Sequence, residues 1–282
     1  MVTPPEYCRL DCVYEAPDSA RSPVVLIHGF PDSPQMFAAY TTAAERQQPW
    51  LSGRSLYTFA FPNRHTHPAF PPVSALRQGV LAREFAAWLD DLAGRSPTGR
   101  LAVIAHDWGA TYTWQYARAR RDPPIEKLVA LSVGSSFRYD FGEHGLRALT
   151  WLYGAWFGSA WYVPALRGLV ARSIIAGAGY RSATAGELWR DAYHYWDRLA
   201  WLPTMPLYAL GLVGRQPEYL DFPFPVLYLR SPLDRIASTA AFERALDARP
   251  DCRRVILTDA NHWFPEQHSA RVLAEIRPFL TD

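Results

Sequence analysis

The stretch Leu101-Ala-Val-Ile-Ala-His106-Asp107-Trp108-Gly109 decides how this chain is read. Its apolar start reads as a buried strand, and a helical pattern follows without a loop and runs to about Arg120. A residue at so sharp a turn is held above the sheet edge, and its neighbours two positions away must be small because the backbone is crowded there. Ala105 and Gly109 meet that demand. The apex is Asp107, so a nucleophile here would be a carboxylate, ionised near neutral pH at the ordinary aspartate pKa of ~3.9. A carboxylate suits displacement at saturated carbon, which leaves an alkyl ester that a second step must hydrolyse. The competing role for Asp107 is N-cap of the following helix.

Outward from this turn, apolar runs alternate with helical patterns, the signature of an α/β fold with a mostly parallel sheet flanked by helices. Pro23 to His28 reads as a strand ending at Gly29, Ser55 to Phe61 as a second, and Lys127 to Val133 as a fourth after Leu101 to Ala105. Leu76, Val80, Leu81, Phe85, Trp88, Leu89 and Leu92 recur at helical spacing, with Ser74 expected as cap and Gly94 as terminator. Between about Gly134 and Leu220 the strand pattern stops, and the rhythm resumes with strands at 225–230 and 254–258 and helices near 239–248 and at the end. The expected organisation is an α/β core over 1–134, an inserted helical cap over 135–220, and the rest of the core over 221–282.

Composition narrows the classes. The chain has 282 residues, 49% hydrophobic and 20% charged, with 29 Lys+Arg against 27 Asp+Glu, so the balance of +2 recommends no polyanionic partner and nucleic acid is not expected. Three cysteines match neither a CxxC pair nor a zinc pattern, as in reduced thiols of a cytoplasmic protein. The uncharged run from Ala148 to Leu166 is broken by Gly154, Gly158, Ser159 and Pro164 and is rich in Trp and Tyr, so it is expected to line a buried pocket rather than span a membrane. His65 and His67 have ligand-like spacing but no third ligand, and no metal is expected.

Three ordered motifs then carry a resemblance: His28-Gly29-Phe30-Pro31, His106-Asp107-Trp108-Gly109, and Asp259-Ala-Asn-His262-Trp263. Together they resemble the α/β-hydrolase fold over nearly the whole chain, and specifically its Asp-nucleophile branch of epoxide hydrolases and haloalkane dehalogenases. The resemblance implies Asp107 as nucleophile, His262 as base for water, and Asp234 as its acid partner, with Asp140 as the rival acid. It implies that the N–H groups of Phe30 and Trp108 form an oxyanion hole and that a cis bond precedes Pro31. No cofactor or metal is implied.

Epoxide and halide chemistry share these residues and differ in what receives the leaving group. An epoxide oxygen leaves as an alkoxide and needs neutral donors such as Tyr O–H. The resemblance matches the first such tyrosine to Tyr153 and the second to Tyr195. Trp196 and Asp197 stand between Tyr195 and Arg198, which departs from the pattern and keeps Tyr193 open. Phe30 donates nothing from its side chain, and His-Gly-Phe-Pro is the form more typical of epoxide hydrolases, whereas Trp108 is compatible with both. Phe30, Trp108, Trp156, Tyr193 and Trp263 are expected to line the substrate pocket. The expectation is hydrolysis of a hydrophobic epoxide, aryl epoxides included, to a vicinal diol by a monomer or homodimer. Haloalkane dehalogenase is the alternative and a non-catalytic binding module a third.

Overall fold

The strands nearest the reacting turn are apolar throughout because both of their faces are covered. In the computed structural model, which describes residues 7–62, 71–72, 76–135, 152–178, 188–195, 219–234 and 238–282, every residue of β2 (Val24–Ile27) and β4 (Leu101–His106) is buried. With β1 (Arg9–Tyr14), β3 (Leu56–Ala60), β5 (Ile125–Leu131), β6 (Val226–Arg230) and β7 (Arg253–Ile256) they form one sheet in the order β1-β3-β2-β4-β5-β6-β7. All pairings are parallel except β1 with β3.

Alternate residues of the central strands point to opposite faces and feed two cores. Val25, Ile27, Val103 and Ala105 join Leu81, Phe85 and Leu89 of α1 (Gln78–Arg95) and Tyr112 and Tyr116 of α2 (Trp108–Arg118) on one side. Val24, Leu26, Ala102 and Ile104 meet Val272, Leu273, Ile276 and Leu280 on the other side; these belong to the C-terminal helix Ser269–Thr281. That helix ends among cations: Lys127 Nζ donates to the Phe279 carbonyl at 2.8 Å, and Arg21 donates to those of Leu280 and Thr281. These are the carbonyls a helix leaves unpaired, at the negative end of its dipole.

One strand went unread and one helix has other bounds than expected. The edge strand β1 carries Arg9 and Asp11 and is only half covered, so it shows no apolar run to read. The helix expected to start behind Ser74 begins at Gln78 with Arg77 at its N-cap, and it runs past Gly94 to Arg95, where Ser96 is the C-cap. Ser74 lies outside the described residues. Between β5 and β6 the described chain is helical: α3 (Leu152–Tyr162), α4 (Arg167–Ala178), and a short turn at Leu188–Asp191 running into a 3-10 turn at Ala192–Tyr195. Among the described residues no helix is long and apolar enough to cross a membrane.

The aromatic run in α3 lines the interior along one stripe only. Tyr153, Phe157 and Trp161, four residues apart, pack against the main core, and small residues Gly154, Ala155, Gly158 and Ala160 allow close approach. Trp156 and Tyr162 fall outside this stripe and are exposed by 37% and 52%.

Candidate active site

In open α/β sheets, ligands bind outside the carboxyl ends of the strands, where the strand order reverses. Here that reversal lies between β2 and β4, because the chain moves outward from β2 to β3 and then crosses back to β4. His28-Gly29-Phe30 follows β2 and Asp107 follows β4, so the two stretches flank the same crevice.

Asp107 has φ 50° and ψ −118°, a positive φ that a non-glycine residue rarely adopts. Its carboxylate does not cap α2. Instead Oδ2 accepts the Phe30 N–H at 2.9 Å, and the carboxylate also bonds the Trp108 N–H. Burial raises the Asp107 pKa above the ordinary carboxylate value; His262 and these two N–H groups pull against that rise, and Asp234 adds to it.

Two glycines make this approach of loops possible. A Cβ on Gly29 would sit 2.5 Å from Asp107 Cβ, and one on Gly109 would sit 2.5 Å from the His28 carbonyl oxygen. Both contacts are with rigid groups and cannot be relieved by rotating a side chain. Gly109→Ala is therefore expected to destabilise the fold by about 1–3 kcal/mol or more, the range for overpacking. Urea unfolding of the variant beside the native protein measures it.

His28 is structural. Its Nδ1–H donates to the Gly29 carbonyl at 2.8 Å and its Nε2 accepts the Phe61 N–H at 3.1 Å, which ties the end of β2 to the end of β3. Burial lowers its pKa to about 4, so it is a neutral clip near pH 7. The Phe30–Pro31 bond is cis, as the motif implied.

His262 stands in the loop after β7, and its Nδ1–H donates to Asp234 Oδ2 at 2.8 Å. Its Nε2 lies 3.8 Å from Asp107 Oδ1. Burial alone would lower the His262 pKa, but the carboxylates of Asp234, Asp107 and Asp32 outweigh it and raise the pKa to about 9. Under the ring lies His106, 4.6 Å away, whose Nε2–H donates to the His262 carbonyl at 3.0 Å. Burial and the neighbouring His262 hold the His106 pKa well below the ordinary histidine value, so it stays uncharged beneath the imidazole.

The expected pocket residues divide. Phe30 and Trp108 are at the crevice, and Tyr153 reaches it through Phe157: Tyr153 and Phe157 ring centroids are 5.3 Å apart, and Phe157 and Phe30 are 5.7 Å apart. Trp263 is fully buried with its ring edge-on to His262 at 4.8 Å, so it backs the imidazole rather than facing a pocket. Trp156 is on the outer face of α3 with its Nε1–H donating to Ser173 Oγ at 2.7 Å, away from the crevice. Tyr193 is buried in the main core, and burial, with Tyr112 and Cys8, raises its pKa well above the ordinary value. Tyr195 ends the 3-10 turn, but its side chain lies outside what is described, as do Tyr139, Asp140, Tyr180, Tyr208, His65 and His67.

Two residues that the sequence did not single out are at the site. His194 is buried and stacks on Trp108, with ring centroids 4.8 Å apart and planes 8° from parallel. Ser132, at the end of β5, touches both Asp234 and His262. The only available signal for His194 was its place between Tyr193 and Tyr195.

Comparison with known proteins agrees with this geometry. The alpha/beta hydrolase family model matches residues 24–275. A curated protein named "Probable oxidoreductase EphD" from Mycobacterium tuberculosis is 27% identical over 215 residues, covering 71% of this chain; the chain spans about a third, 34%, of that relative's length. Among solved structures, a mutant epoxide hydrolase from Bacillus megaterium complexed with its product (R)-3-[1]naphthyloxy-propane-1,2-diol aligns with a TM-score of 0.63 at 14% identity, covering 98% of this chain and 97% of that one. Epoxide Hydrolase A from Mycobacterium thermoresistibile gives 0.58 at 22%, covering 97% and 94%. A thermophilic esterase from Thermogutta terrifontis gives 0.60 at 17%, covering 97% and 92%, so the shared fold spans more than one hydrolytic chemistry. The sheet order, the Asp107 turn and the family match agree, and the chain belongs to the alpha/beta hydrolase family.

Proposed function

We propose that the protein hydrolyses hydrophobic epoxides to vicinal diols through an alkyl ester on Asp107. The reading rests above all on one arrangement: a carboxylate, not a hydroxyl, at the elbow, cradled by two backbone N–H groups and facing a histidine–aspartate pair. Oδ2 sits against the Phe30 N–H, so Oδ1 is the oxygen left to attack a ring carbon. As that bond forms, the carbon–oxygen bond of the ring breaks, and Tyr153 with Tyr195 supplies hydrogen bonds and a proton to the departing oxygen. In the second step His262 Nε2 takes a proton from water, and the hydroxide adds to the ester carbonyl. The oxyanion then develops on Oδ2, already against the Phe30 N–H, and its collapse breaks the ester bond and expels the diol oxygen, which takes the proton held by His262.

Electrostatics favour this order of events. In the free protein Asp107 is among the charges that raise the His262 pKa to about 9. Esterification removes that charge, so the His262 pKa falls when a base is required. Single-turnover hydrolysis of the ester is thus expected to rise about tenfold per pH unit up to an apparent pKa below 9 and then level off. A flat profile between pH 5 and 9 would contradict His262 as base.

Tyr153→Phe is expected to lower diol formation about 100-fold, the lower end of the range for a lost general acid, with unfolding unchanged. The defining assay is diol formation from styrene oxide run beside halide release from a bromoalkane. The same Asp107, His262 and Asp234 would serve a haloalkane dehalogenase, the second reading, and halide release without diol would select it.

A further inference from the structure

Ser132 is the first residue beyond β5, fully buried, with φ 75°. That left-handed conformation is uncommon for serine and persists only where the surroundings fix it. Two contacts with β6 fix it here: the Ser132 N–H donates to the Leu229 carbonyl at 2.8 Å, and the Ser132 carbonyl accepts the Tyr228 O–H at 3.0 Å. The result aims the hydroxyl at the catalytic pair. Ser132 Oγ–H donates to Asp234 Oδ2 at 2.5 Å, and Oγ lies 3.1 Å from His262 Nδ1. Asp234 Oδ2 thus accepts two donors, the serine hydroxyl and the imidazole Nδ1–H, and that Nδ1–H is shared between Oδ2 and Oγ. The three side chains close a ring.

We propose that Ser132 is a positioning residue, whose hydroxyl fixes the histidine tautomer with Nδ1–H toward Asp234 and takes up part of the carboxylate's charge. This leaves the Nε2 lone pair for water and keeps the pair from holding its proton too tightly. The inference rests on the proposed ester mechanism for its kinetic consequence, but not for its electrostatic one. Asp234 keeps its backbone N–H bond to the Ser231 carbonyl when the hydroxyl is removed, so the charge it offers His262 changes more than its place does. The other charged or titratable groups facing His262 are Asp107, Asp32 and His106, and none of them is altered.

The test compares the native protein with Ser132→Ala and Ser132→Gly, the glycine because it adopts φ 75° without strain if alanine does not fold. Titration of the ligand-free proteins by nitrogen-15 NMR of labelled histidine should show the His262 pKa raised by half a unit or more in both variants. An unmoved or lowered His262 pKa overturns the proposal, since a merely structural serine would leave it in place. With styrene oxide, single-turnover ester hydrolysis at pH 7 should fall about threefold or more, the factor for half a unit, and its pH profile should move to higher pH while ester formation keeps its rate. Equal loss in both steps overturns the proposal. If the native protein turns over no epoxide, the proposed function fails, and the titration still decides the role of Ser132.

Discussion

Asp107→Ala should give a folded protein that forms no diol above background, a loss on the order of ~10⁴-fold or greater. In the proposed mechanism the carboxylate supplies the bond-forming electron pair, and alanine offers nothing in its place at the apex. Water could still enter, but without Asp107 the Phe30 and Trp108 N–H groups would have no ester to act on. Diol formation with and without the substitution, alongside urea unfolding, separates this from the N-cap role. An N-cap aspartate would cost about 1 kcal/mol of stability on truncation and leave turnover largely intact. The Asp107 carboxylate already bonds Phe30 and Trp108 and makes no cap, so the stability change should be small and the activity change nearly complete.

His262→Gln should produce the second large effect, of a different kind. Ring opening needs no base because the nucleophile is a carboxylate, so the variant should still react once. Hydrolysis then stalls, since glutamine cannot take the proton from water, and turnover falls about 10³-fold or more. Intact-protein mass spectrometry after exposure to styrene oxide should find the protein heavier by one substrate molecule, with the adduct on the peptide containing Asp107. Full turnover by His262→Gln, or an adduct elsewhere, would remove His262 from the role assigned to it.

The sequence made the candidate residues Asp107, Asp234 and His262 legible because each follows a strand. An apolar run that ends without a loop at Asp107, one that ends at Arg230 just before Asp234, and a histidine after the last strand put three residues at one sheet edge, and the resemblance supplied their expected roles. The small residue at Gly109 was legible for the same reason, as a demand of crowding. Orientation about a helix was harder to read. α3 is apolar on nearly every side, so its sequence did not say that Tyr153 and Phe157 face inward and Trp156 outward. The 3-10 turn Ala192–Tyr195 has about three residues per turn, so neighbouring side chains diverge widely and His194, rather than Tyr193, came to stack on Trp108. Ser132 was invisible because a serine after a strand is ordinary, and only the backbone twist at φ 75° aims its hydroxyl at Asp234. β1 escaped because an edge strand can carry charge and needs only one covered neighbour.

In the proposed mechanism the oxygen delivered to the substrate comes from Asp107 and not directly from water. It is tested by a single turnover, with protein in excess over styrene oxide, in water enriched in oxygen-18. The diol from this first turnover should carry unlabelled oxygen at the attacked carbon, while the Asp107 carboxylate gains the label. Labelled diol with unlabelled Asp107 would mean that water attacks the ring itself, and the covalent mechanism would be wrong.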